Sequence, residues 1–196
     1  MNKIIMGIIV LTSSRDSGIR MRQFLNELEM AIPNTVKVNR GKMSLIDLAG
    51  KALGLGATKI VYFGARGGNP SVMRFIRVRP GSIEFLPYAI KILGVKLLLD
   101  MQVRVRQVSQ ARSAIVISLG EYIDVADILS GELELPSLRV KDFESVRGMY
   151  DTLLVIRRVE DYYELQILNG RDMGPYGPFM RIGGVVYTKP RVIKVG

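Results

Sequence analysis

The apolar residues of this chain keep two rhythms, one continuous or of period two and one near 3.6. Ile4 to Leu11 is an almost unbroken β-rich run, the pattern of a strand covered on both faces. "TSSRDSG" interrupts it. Met21, Phe24, Leu25, Leu28 and Ile32 then trace the buried stripe of a helix reaching about Ala31, with Asp16 or Ser17 as N-cap and Pro33 as its stop. Thr35 to Val38 reads as a short second strand. Ser44 precedes Asp47 by three positions, the spacing of a capping box, and Leu45, Leu48, Ala49, Ala52 and Leu53 continue as a helical stripe until Gly54 and Gly56. "TKIVYF" is a third strand, followed by the loop "GARGGNP". Strands alternating with helices predict an α/β sheet.

Strand patterns dominate the middle of the chain. "VMRFIRV" and "SIEFL" flank a turn at Arg79, Pro80 and Gly81. From Val95 to Arg106 the odd positions are all apolar and the even ones include Lys96, Asp100, Gln102, Arg104 and Arg106, which predicts a long strand with one wet face and a bulge or bend. The opening order then recurs. "SAIVISL" reads as a strand, and "EYIDVADIL" as a helix with Tyr122, Val125, Ala126 and Leu129 inward. "DFESVRGMY" reads as a short helix capped by Asp142, and "TLLVIRRV" and "YYELQIL" as a hairpin turning at Glu160 and Asp161. "FMRIGGVVY" is a last strand candidate. The fold class expected is therefore α/β, with two similar interlocked halves, an internal duplication, and mixed sheets flanked by helices. The halves would form one domain over residues 1–196 and meet near residue 110.

Composition narrows the chemistry. The 196 residues include no cysteine and no histidine, which removes disulfides, thiolate sites, thiol nucleophiles and imidazole catalysis. The first apolar run lacks a small-residue cleavage site, and no run reaches the ~20 residues of a membrane span, so a cytoplasmic protein is expected. Lys and Arg number 28 against 18 Asp and Glu, a net charge of +10 that draws the chain to polyanions. Glu121, Asp124 and Asp127 at helical spacing are read as complements to a helix dipole, not as a metal site. No cofactor is expected.

The basic residues favour particular loops. Parallel strands joined by helical crossovers send their following loops to one sheet edge, where ligands of such sheets bind. The three loops are "TSSRDSG", "NRGK" and "GARGG". Ser13, Ser14, Arg15, Arg20, Arg40, Lys42 and Arg66 are the anion-binding candidates there, helped by two helix N-termini. Nucleotide readings fail on spacing: Met43 follows Gly41-Lys42 where a P-loop needs Ser or Thr, and "GLGATK" lacks its third glycine and precedes a strand. A phosphodiester backbone suits the spread of charge better. Arg104 and Arg106, on the wet face of the long strand, are weaker candidates, since edge strands often carry charge only to prevent pairing. Aromatic residues offer no exposed stacking pair.

"TSSRDSGIRMRQFLNEL…IPNTVKVNRGKMSLIDL" resembles the opening of the Brix-domain family of ribosome biogenesis proteins, and "ARGGNP" followed by "SVMRFIRVRPGSIEFL" resembles that family's Arg-Gly loop and following strands. The resemblance is specific over Leu11 to Leu48 and weaker beyond Gly120. It is nearest to the branch working in small-subunit processing, and suggests a bare-domain archaeal member. The chain departs from the family pattern at Ala65, where a histidine is common, and at Pro178-Phe179, where Arg181 follows instead of an arginine standing between. The resemblance implies halves like the anticodon-binding domain of class II tRNA synthetases. It also implies binding of ribosomal RNA or pre-rRNA without catalysis, in company with assembly proteins or small guide RNA particles. Asn39, Arg40 and Gly41 form the family's Asn-Arg-Gly motif, which assigns them with Arg15, Arg20 and Lys42 to RNA contact; Arg181 is a further candidate. The alternative is a protein-docking module whose affinity resides in apolar surface and in "GPYGPFMRIGG", with only non-specific affinity for RNA.

Overall fold

The computed structural model describes residues 7–15, 17–104 and 109–195. The chain runs β1 (Ile8–Ser13), α1 (Ile19–Ala31), β2 (Thr35–Lys37), α2 (Leu45–Gly54), β3 (Ala57–Arg66), β4 (Asn69–Arg79) and β5 (Ser82–Lys96). It continues through β6 (Ala114–Leu119), α3 (Asp124–Leu133), β7 (Ser137–Val140), a 3₁₀ turn (Phe143–Val146), β8 (Thr152–Val159), β9 (Tyr162–Asn169), β10 (Phe179–Tyr187) and β11 (Arg191–Lys194). These strands make one mixed sheet ordered β2-β1-β3-β4-β5-β10-β9-β8-β6-β7, with β11 paired to β5. From its outer edge inward each half has the same connectivity. β1 lies parallel between β2 and β3, and β6 parallel between β7 and β8. Antiparallel strands lead from there to the β5–β10 seam.

Period-two alternation assigns each strand side chain to one of two faces. On β3, Val61 and Phe63 join the cluster under α1 and α3, whereas Ile60 joins the cluster under α2. Phe24 of α1 is fully buried and meets Phe63 edge-on at 5.0 Å. In the second half the 3₁₀ turn takes the place of α2, and Val146 packs on Ile117, Leu153 and Val155. Both sheet faces are thus covered, and β1 and β6 read as near-continuous apolar runs for that reason.

A buried ion cluster joins the two halves. Glu132, at the end of α3 and 5% exposed, accepts from Arg77 Nη1 at 2.5 Å, Arg77 Nη2 at 2.9 Å and Tyr88 Oη at 2.6 Å. Burial, then the Glu132 hydrogen bond, pushes the Tyr88 phenol up to about 12. Beside it Lys59 pairs with Glu134 at 2.6 Å.

Several expectations need correction. The alternation that begins at Val95 does not continue as a strand through the described residues 97–104. β5 ends at Lys96, and a turn follows in which Leu97 N–H donates to Asp100 Oδ2 at 2.8 Å and Leu98 N–H to both Glu27 carboxylate oxygens at 3.1 Å. Two carboxylates satisfying backbone donors override the sequence period. Arg104 is accordingly exposed outside any strand, while Arg106 lies outside the described residues. The N-cap of α1 is Gly18, not Ser17, and no side chain among the described residues caps it; Asp16 and Ile4 to Met6 lie outside the described residues. Tyr122 precedes α3 and is 67% exposed, not inward. "GARGGNP" is largely strand: a two-residue turn at Gly67 and Gly68, both of positive φ, joins β3 to β4. Among the described residues no helix is long and apolar enough to cross a membrane.

Candidate nucleic-acid interface

Because β1 is parallel to both β2 and β3, the loops after these strands leave one edge of the sheet. Ser13 is buried, and Ser14 N–H donates to Phe63 O at 3.1 Å, extending the β1–β3 ladder one residue. The second loop is tied down in the same way. Val38 N–H donates to Leu11 O at 2.9 Å, and Thr12 Oγ1 donates to Val38 O at 2.8 Å. Asn39 is the first exposed residue beyond that anchor. Arg40 O then accepts from Met43 N–H at 2.9 Å, closing a tight turn in which Gly41 takes a φ of 52°. That left-handed conformation is why a glycine stands there.

Two arginines converge on the exit from this turn. Arg15 Nε and Arg40 Nε donate to the same carbonyl, Met43 O, at 3.3 and 3.0 Å. Ser44 follows as the N-cap of α2, and its capping box with Asp47 is complete in both directions. Hydrogen bonds from the Ser44 hydroxyl and amide, with Arg15 nearby, hold the Asp47 carboxyl below the usual range. Asp47 already answers the α2 N-terminus, so positive charge at this edge comes from side chains and not from a free helix end. Lys42 is exposed and makes no hydrogen bond or ion pair with the described residues. Arg66 stands exposed at the end of β3, on the same edge.

Arg20 has a different position. Its guanidinium spans Asn69 Oδ1 at 2.8 Å, Val95 O at 3.0 Å and both Asp100 oxygens at 3.1 and 2.5 Å. It therefore fastens α1 to β4 and to the turn after β5. The Arg20 bond, then the Leu97 amide, pulls the Asp100 carboxyl down to about 2, and burial pushes neighbouring Glu27 up to about 7. Arg181 sits on β10 across the seam, opposite Gly94 of β5, with its guanidinium 5.4 Å from the Tyr162 ring centroid. Among the described residues no carboxylate group gathers where a metal ion could bind.

A second basic feature adjoins the edge. A cleft of about 350 Å³ lies between the start of α2, the sheet and the approach to β11, and Arg40 belongs to both. Arg74, Lys189 and Arg191 bring its charge and were not among the sequence candidates. For Lys189 and Arg191 the signal was the spacing of "TKPRVIK", basic residues around a proline, which has no periodicity to mark it, while Arg74 stood inside the strand run "VMRFIRV".

No family model matches the chain. A Pyrobaculum aerophilum protein named "Probable Brix domain-containing ribosomal biogenesis protein" is 35% identical over 179 residues, 91% of this chain and 95% of that one. One of the same name from Saccharolobus solfataricus is 38% identical over 121 residues, 62% of this chain and 69% of that one. The crystal structure of a "probable ribosomal biogenesis protein" from Aeropyrum pernix superposes with a TM-score of 0.72 at 22% identity, covering 91% of this chain and 96% of that one. An archaeal Imp4-like protein superposes at 0.63 and 21% identity, covering 91% and 99%. The sequence relatives establish kinship and the solved structures the fold: the chain belongs to the Brix-domain family of ribosome biogenesis proteins.

Proposed function

We propose that this protein binds ribosomal RNA or its precursor through the edge formed by Arg15, Asn39, Arg40, Gly41, Lys42 and Arg66, and assists small-subunit processing and assembly without catalysis. Ser13 and Ser14 anchor the edge, and Arg20 braces it from behind. The observation that carries this reading is the shared acceptor. Among the described residues Met43 O is the one hydrogen-bond acceptor of both guanidiniums, reached through Nε–H, which leaves their Nη donors without a partner there. Guanidiniums held ready in this way suit phosphate oxygens along a backbone. Ribosome assembly, the process named for its relatives, supplies such a polyanion.

The test is a titration against precursor small-subunit ribosomal RNA with transfer RNA and duplex DNA as competitors, over a salt series. Preference for the ribosomal RNA, with affinity falling steeply as salt rises, is the expected result. Equal binding to all three polyanions would overturn specific recognition and put a protein-docking role in its place.

A further inference from the structure

The cleft that shares Arg40 with the basic edge is built from four parts of the chain. Tyr62 and Arg74 face each other across the β3–β4 ladder, and Phe85 and Arg191 across the β5–β11 ladder. Leu45 closes one side as the first residue of α2, while Thr188 N–H donates to Pro87 O at 2.9 Å and fixes the approach of Lys189. The Arg191 guanidinium lies 5.8 Å from the Phe85 ring centroid.

The charge in this hollow is unbalanced. Arg40, Arg74, Lys189 and Arg191 line it, and no carboxylate does among the described residues. The side chains of Arg74 and Lys189 make no hydrogen bond or ion pair with the described residues. Elsewhere the same chain matches arginines with acids, as in the half-buried Arg77 with Glu132 and the exposed Arg157 with Glu164. Four like charges around a concave site repel one another until an anion enters. A phosphate with two half-buried rings beside it is the chemistry of a nucleotide, and the volume suits one nucleotide unit, not a helix.

We propose that the cleft seats an unpaired nucleotide of RNA, its phosphate between Arg74, Lys189 and Arg191 and its base against Tyr62 and Phe85, with Arg40 passing the strand on to the basic edge. The inference rests on the RNA reading above and narrows it to a single-stranded segment. Duplex RNA reaches the edge by its backbone but cannot insert a base here.

The test uses the full chain with a fluorescent unstructured RNA of about 10 nucleotides, a hairpin duplex with equal phosphate count, and free uridine monophosphate as competitor. The variants are Arg74→Glu, Lys189→Glu and Lys42→Glu. The wild type is expected to prefer the single strand, and Arg74→Glu and Lys189→Glu each to weaken it by about tenfold while duplex affinity stays within about twofold. Lys42→Glu is expected to weaken both. Lys189 is exposed outside the strands, so its substitution reads the site even where Arg74→Glu fails to fold. Single-strand binding unchanged in Lys189→Glu, with loss in Lys42→Glu, would overturn the cleft and leave the edge standing. Competition by the free monophosphate as strong as by the oligonucleotide would overturn RNA as the occupant. No binding of either RNA by the wild type would overturn the edge and the cleft together.

Discussion

Arg15 and Arg40 differ from Lys42 in what holds them, and this separates binding from bracing at single residues. Lys42→Glu removes an exposed, unpartnered charge, so RNA affinity should fall while stability changes by less than about 0.5 kcal/mol, as read by thermal melting. Arg20→Met should do the reverse. It strands Asp100 and releases the turn after β5, costing about 2 kcal/mol in a denaturant titration with little effect on RNA. Glu27 sets a pH dependence in the same neighbourhood. Its folded value of about 7 lies above the ordinary 4.5, so its ionisation works against the fold. Its contribution is held below about pH 4.5 and lost as pH rises through 7. Glu27→Gln should therefore gain melting temperature relative to wild type at pH 8 compared with pH 5. Asp100 acts oppositely: its contribution holds at neutral pH and is lost as pH falls through about 2.

Among the elements, α3 carries the join between halves. Glu132→Ala leaves the Arg77 guanidinium and the Tyr88 hydroxyl without their acceptor, and should cost about 3–5 kcal/mol in chemical unfolding. The sequence disclosed α2 almost completely, because its cap, stripe and stop are local and need no partner to be recognised. The edge was legible for a related reason: parallel order follows from strand-helix-strand connectivity. The turn at Asp100 was hidden, since its donors are claimed by Glu27 and Asp100 only once α1 has packed beside it. β7 and β11 were hidden too. At four residues each they are too short to show a period, and their pairing is decided by β6 and β5. The four-cation cleft depends on β11 and was lost with it.

For the whole molecule, charge divides the recurring connectivity. The first half's edge carries Arg15, Arg40, Lys42 and Arg66. The corresponding positions of the second half are mixed, with Glu121 after β6, Lys141 and Asp142 after β7, and Arg158, Glu160 and Asp161 at the β8–β9 turn. The cationic edge of the first half is the one a polyanion would meet first, which would give the proposed RNA contact an orientation. Reversing Lys42 or Arg66 should lower the slope of log affinity against log salt by about one each, whereas Glu121→Gln should leave it unchanged. The same salt series reads all three.

The pairing of β11 with β5 has a consequence in time. Arg40 and Arg74 leave the ribosome before Lys189 and Arg191, with β5 to β10 between the two pairs. A nascent chain can fold its first half before the second exists. It cannot complete the cleft until β11 has docked. Translation arrested after Tyr187 should yield a chain that shows the basic edge but does not hold single-stranded RNA, which a pull-down of stalled chains would test. Birth order would then work as a checkpoint, keeping half-made protein off that RNA.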